Sequence, residues 1–135
     1  FRSVNIFFEM NKRLAAIMNK FPEYDVCLEE VHHNEKLDAP SGTAITIAKD
    51  ILSEIDRKKD WRLNEFKTTE ELQVVSKRLG TTPGTHIVSY DSPDDTIEIK
   101  HAAKSRRALA FGAVVAAEFV MGKKGVFGMK DLLDL

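Results

Sequence analysis

The sequence predicts an α+β fold: a mixed, mostly antiparallel four-stranded sheet, covered by helices on one face and open on the other for oligomerisation. Two observations carry this expectation. Apolar residues recur three and four apart in residues 4–21, 44–55 and 105–122, whereas 24–32, 72–78, 86–90 and 96–100 are short and β-like, with alternation strictest in the last. The order helix, strand, helix, three hairpin-linked strands, helix then places helices against one sheet face.

The first helix is read over residues 4–21, where Phe7, Met10, Leu14, Ile17, Met18 and Phe21 form one apolar face. Pro22 and Glu23 end it. In the strand read over 24–32, Val26 and Leu28 alternate with Cys27, Glu29 and Val31, and two histidines close it. The second helix opens at Pro40 or Ser41 and sets Ala44, Ile47, Ala48, Ile51, Leu52 and Ile55 on one stripe. Residues 56–71 are charged and aperiodic, and read as a connecting loop anchored by Trp61, Leu63 and Phe66.

Strands at 72–78, 86–90 and 96–100 follow, with turns at 80–84 and 91–95, and their spacing suggests an antiparallel meander. Val74, Ile87 and Val88 fall on both sides of these strands, as expected either of self-association through the sheet or of helix cover at one end. A third helix is expected over 105–122, and residues 129–135 can add one more helical turn.

At 135 residues the chain is expected to form one domain. Lys and Arg number 20 against 21 Asp and Glu, so no overall field invites nucleic acid or a membrane surface. The longest apolar run, 108–121, is shorter than the ~20 residues needed to span a bilayer. Cys27 is the single cysteine, which excludes an internal disulfide and suits a reducing compartment, so a cytoplasmic location is expected. The chain begins at Phe1 rather than Met, as expected of a processed chain or a fragment of something longer.

The chemistry is concentrated in residues 32–44, where a strand end, a charged turn and a helix start bring two imidazoles, an ammonium and a Pro-Ser-Gly-Thr opening together. A helix N-terminus offers unpaired N–H groups to a carboxylate or phosphate, and imidazole exchanges a proton near neutral pH. The same residues have ordinary uses, since Ser-Gly-Thr also caps helices and histidines also sit on surfaces. Lys36, four residues after His32 and ahead of the open helix end, suits an anion clamp.

His32 and His33 point to opposite faces of a regular strand, and His86 and His101 are expected on distant strands with Cys27 buried, so no metal centre is expected. A catalytic acid beside a binding residue suits the pair better. Lys104-Ser105-Arg106-Arg107 places cations at a helix start, where they serve a partner or remain a solvated face. The seven glycines form no Gly-x-Gly-x-x-Gly or Walker-type loop, so no dinucleotide-phosphate cradle is recognised.

Residues 30–44, reading Glu-Val-His-His-Asn-Glu-Lys-Leu-Asp-Ala-Pro-Ser-Gly-Thr-Ala, resemble at every fixed position the signature of the 4-hydroxy-tetrahydrodipicolinate reductase (dihydrodipicolinate reductase) family. The resemblance extends to Val4 through Phe8, to Arg78, Gly80, Gly84, His86 and Val88, and to Ser105-Arg106 and Gly112-Ala113. It implies that residues 1–135 are the C-terminal substrate-binding and tetramerisation domain, without the N-terminal Rossmann nucleotide-binding domain. It further implies an oxidoreductase of diaminopimelate and lysine biosynthesis that reduces a cyclic dicarboxylate to tetrahydrodipicolinate with NADH or NADPH, held mainly by that other domain.

By this resemblance His32 is the proton donor, Lys36 a second donor and charge partner, His33 a substrate ligand, Gly42 and Thr43 the carboxylate cradle, and Arg106 a cofactor contact. Ser3 and Leu109 depart from the family's usual glycine and phenylalanine at the hinge and the nicotinamide contact. A small dicarboxylate and three further copies of the chain are the implied partners, with no nucleic acid and no membrane. The competing reading is a non-catalytic dicarboxylate-binding or oligomerisation module on the same scaffold.

Overall fold

The computed structural model describes residues 2–65, 68–105 and 116–135. Helix α1 (Arg2–Met18) leads through a turn into β1 (Asp25–His32), then α2 (Gly42–Glu54), β2 (Asp60–Leu63), β3 (Glu71–Arg78), β4 (Thr85–Asp91), β5 (Thr96–Ala102) and the short α3 (Met129–Leu133). Residues 116–120 are helical, and most of the helix expected over 105–122 lies outside the described residues, as does the Phe66 anchor.

One five-stranded sheet runs in the order β2-β3-β1-β4-β5. It has five strands rather than the expected four, because residues 60–63, read as loop, pair in parallel with β3. Only four residues long, β2 is too short to declare a period, but Trp61 and Leu63 do alternate onto the core. The expected meander is also corrected. β3 and β4 are not neighbours, since β1 lies between them, parallel to β3 and antiparallel to β4. Only β4 and β5 form a hairpin of the expected kind.

Helices α1 and α2 pack on one face of the sheet. In β1 the residues turned toward them are Val26, Leu28, Glu30 and His32, so the strand's buried stripe changes from apolar to ionisable toward its carboxyl end. Leu28 sits between Val74 and Val88, and these three meet Ile47 and Ile51 of α2, all fully buried. Each such side chain contributes roughly 1.5–3 kcal/mol of burial.

In α1 the buried seam is Phe7, Asn11, Ala15 and Met18, while Met10, Ile17 and Phe21 of the expected face are exposed. The seam is rotated because Ala15 gives room for close approach, and buried Asn11 donates its Nδ2–H to the Ile47 carbonyl at 3.2 Å. The opposite sheet face carries Cys27, Glu29, Val31, Val75, Lys77 and Ile87, all but Lys77 partly buried, with a Glu29–Lys77 ion pair among them.

Candidate functional site

The sheet gathers chemistry at one edge. β1 and β3 run in parallel and end together, with His32 opposite Arg78, while antiparallel β4 begins there and sets His86 opposite Glu30. β5 runs back to the same edge, where His101 lies opposite His86. A cavity of about 320 Å³ opens here, lined by His32, His33, Lys36, Thr43, His86 and His101, together with Pro83 and Gly84. All four histidines of the chain therefore face one cavity.

His32 is buried, and its Nδ1 meets a Glu30 carboxylate oxygen. Burial pushes the imidazole below its ordinary pKa, partly opposed by the Glu30 charge and assisted by Lys36 and Arg78. Burial would raise Glu30, but the Ser76 hydroxyl, the Arg78 guanidinium and His32 together hold it below the ordinary carboxylate range. Gly84 covers the other ring nitrogen. A Cβ built on Gly84 would stand 3.0 Å from His32 Nε2, and its φ of +154° also disfavours a side chain.

The loop after β1 is pinned by Arg78. Its Nη1–H donates to Glu30 at 3.0 Å, its Nε–H to the Lys36 carbonyl at 3.2 Å and its Nη2–H to the Asp38 carbonyl at 2.6 Å. Lys36 Nζ lies 3.0 Å from Asp38, whose carboxyl it holds below the usual range. His33, past the end of β1, lines the main cavity and an adjoining one of about 370 Å³ with Asn34, Glu35, Gly80, Thr81 and Pro83.

Ser41 caps α2. Its Oγ accepts the Ala44 N–H, and its carbonyl accepts the Ile45 N–H. Among the described residues this leaves the Gly42 and Thr43 N–H groups without a backbone partner at the helix's positive end. Thr43 lines the cavity, and Gly42 has open space where a side chain would stand. Ser41 Oγ also lies 3.2 Å from His86 Nε2, so cap and imidazole brace each other. Burial lowers His86 to about 4, with the neighbouring His32 adding to the effect, and it is neutral at pH 7.

The structure thus brings His32, His33, Lys36 and Thr43 of the expected site together, sets Gly42 beside them at the helix start, and leaves Arg106 outside the described residues. It corrects the expectation that His86 is distant: its ring centroid lies 5.3 Å from that of His32. His101 also belongs here, with Ser3 Oγ at 2.8 Å from its Nε2 and Phe7 against its ring edge. Glu30, Arg78, His86 and His101 were given no role in the site by the sequence reading. The signal for Glu30 was the two-residue period of β1, which puts it on the face of Leu28 and His32.

Glu30, His32 and His86 offer donor atoms within 4.8 Å of one another, a spacing that could hold a metal ion. The donor set fits one poorly, because Glu30 is already paired with Arg78 and His32 and His86 braces Ser41, so a dication would have to displace a buried guanidinium interaction. The arrangement suits a dianionic ligand held by N–H groups and an ammonium beside a proton-exchanging imidazole.

The family model described as "Dihydrodipicolinate reductase, C-terminus" matches residues 3–133. A 4-hydroxy-tetrahydrodipicolinate reductase of Christiangramia forsetii is 51% identical over 131 residues, covering 97% of this chain and 54% of its own. One from Methanosarcina barkeri is 40% identical over 136 residues, covering 98% and 50%. A solved structure described as dipicolinate-bound dihydrodipicolinate reductase from Paenisporosarcina sp. TG-14 superposes with a TM-score of 0.66 at 25% identity, covering 95% of this chain and 51% of that one. The chain spans about half the length of the curated relatives it matches.

Proposed function

The chain belongs to the family of dihydrodipicolinate reductase C-terminal domains, and from that premise we propose that residues 1–135 are the substrate-binding and tetramerisation domain of a reductase acting on 4-hydroxy-tetrahydrodipicolinate. The product is tetrahydrodipicolinate, formed as hydride and a proton are added and the 4-hydroxyl leaves as water, in diaminopimelate and lysine biosynthesis in the cytoplasm, and the reductant is NADH or NADPH. The observation that carries the reading is the convergence of His32, His33, Lys36 and Thr43 on one cavity beside the open α2 N-terminus. The similar solved structure is of a dipicolinate-bound dihydrodipicolinate reductase, which supports a planar dicarboxylate as the ligand class.

One substrate carboxylate accepts the Gly42 and Thr43 N–H groups and the hydroxyl of cavity-lining Thr43 at the positive end of α2, and the second lies near Lys36 and His33. A dianion seated there raises the proton affinity of His32, offsetting the burial that lowers it. His32 is thereby charged when substrate is bound, and supplies the proton that neutralises developing negative charge on the ring. Lys36 stabilises the same charge and is the second donor.

The described residues contain no glycine-rich turn that could cradle a dinucleotide, and the N-terminus of α2 is committed to the substrate side. They do not fit the nucleotide, which a nucleotide-binding domain elsewhere in the full protein supplies, with Arg106 as this chain's contact. No membrane-crossing helix is present among the described residues.

Calorimetric titration of the chain with dipicolinate at low salt tests the reading. Binding is expected, and Lys36→Ala, Thr43→Val and His33→Gln should each weaken it by about tenfold, as for loss of one charge-assisted contact of ~1.5 kcal/mol. Equal affinity in all three variants would refute the carboxylate assignment.

A further inference from the structure

We propose that Glu30 is the positioning residue for His32: its buried carboxylate, clamped by Arg78, holds the imidazole through Nδ1, so that only Nε2 exchanges a proton with the cavity. The inference rests on the reading of His32 as the proton donor and goes beyond it by naming the atom that donates and the group that selects it.

Glu30 is fully buried on the helix-facing side of β1, where an unpaired carboxylate would be strongly unfavourable. Leucine would suit a purely structural role there, as it does two residues earlier at Leu28. Its two oxygens are instead divided, Oε1 to Arg78 at 3.0 Å and Oε2 to His32 Nδ1. An ionised carboxylate only accepts hydrogen bonds, so Nδ1 carries a proton in both charge states of the ring. The neutral ring therefore presents a bare Nε2, and the charged ring presents Nε2–H.

Nε2 is the nitrogen on which a side chain at Gly84 would close, and the ring lines the cavity. The charged and titratable groups around the ring are Glu30 on its own strand, Arg78 from β3, His86 from β4 and Lys36 from the following loop. Glu30 supplies the negative charge that favours the imidazolium; Arg78 and Lys36 oppose it. Arg78 also holds the Lys36 and Asp38 carbonyls, so one guanidinium ties the orientation of the acid to the loop that carries the ammonium.

The test is nitrogen-15 spectroscopy of histidine-labelled chain, titrated through the His32 transition, for the parent and Glu30→Gln. The parent should show neutral His32 as the Nδ1–H tautomer. Glu30→Gln should mix in the Nε2–H tautomer and lower the titration midpoint. In the full-length reductase the same variant should lose about tenfold or more in kcat with KM little changed, and Glu30→Asp should recover part of it.

An Nε2–H tautomer in the parent would overturn the proposal, and this measurement stands even where Glu30→Gln does not fold. An unchanged midpoint in a folded Glu30→Gln chain, or unchanged kcat in an active reductase carrying it, would overturn it as well. If the predicted spectra appear in a chain that fails to bind dipicolinate, the functional reading fails while the Glu30–His32 positioning stands.

Discussion

His86 should make the stability of this chain fall in mild acid, over a range where most carboxylates are still ionised. Its ring is buried against His32, with Ser41 Oγ at 3.2 Å, and burial lowers its pKa from 6.5 to about 4. The folded state thus resists a proton that the unfolded chain accepts. The contribution is fully present above pH 6.5 and is lost as the pH falls toward 4. That difference in pKa corresponds to roughly 3 kcal/mol in full, of which about 2 kcal/mol is lost between pH 7 and pH 5. Urea unfolding followed by circular dichroism at pH 7, 6 and 5 measures this for the parent and for His86→Gln, whose amide can still reach Ser41. His32 and His101 are lowered by burial too, but both remain in the variant, so the difference in slope isolates His86. The parent should lose about 2 kcal/mol more than the variant over that interval. Parallel slopes would refute the reasoning, because they would mean that His86 takes up its proton in the folded state at its ordinary pH.

Gly84→Ala should leave the sheet formed at a cost of roughly 1–3 kcal/mol in backbone strain, while its methyl closes over His32 Nε2 and lowers turnover of the full-length reductase by about 10²-fold. Undiminished turnover would show that the proton does not leave through Nε2. The open sheet face, with Val31, Val75 and Ile87 among polar neighbours, should associate with further copies to give a homotetramer, and sedimentation equilibrium at micromolar concentration should return four times the chain mass. A monomeric mass would refute self-association through this face.

Legibility in the sequence followed the strength of the local signal. α2 was readable throughout, because Ala44, Ile47, Ala48 and Ile51 repeat on one stripe and Ser41 caps it, and all of these are buried as the period requires. α1 was readable as a helix but not in its facing. Counting large apolar side chains favoured Met10, Ile17 and Phe21, whereas contact with α2 is made through Asn11 and Ala15, whose small size and side-chain amide matter more than hydrophobicity. β2 was hidden by its length and by charged neighbours. Strand order was hidden because parallel pairing of β1 with β3 leaves no turn residues to mark it. The signature residues of the site lay in one contiguous stretch, so their proximity was legible, but His86 and His101 reach the cavity, and Arg78 reaches Glu30 behind it, only through sheet registers that no local pattern encodes.

Those registers are what make the site. Had the later strands formed a simple meander, β3 would lie against β4, and Arg78 would have no route to Glu30. Placing β1 between them lets one strand use both neighbours: parallel β3 ends level with it and delivers Arg78 beside His32, and antiparallel β4 begins level with it and delivers His86 beside Glu30. The carboxyl ends of β1, β3 and β5 and the start of β4 then share one edge, so the loops after β1 and β3 and the start of α2 open onto a common cavity. Ionisable groups at this edge sit on the buried face, where low polarity strengthens each interaction and makes each unpaired charge costly. The chain meets that constraint by pairing every buried charge it places there, Glu30 with Arg78 and His32, and by keeping His86 neutral against Ser41. Among the described residues, the positively polarised groups at the cavity include the Lys36 ammonium, paired with exposed Asp38, and the α2 N–H groups, a distribution that suits a small dianion.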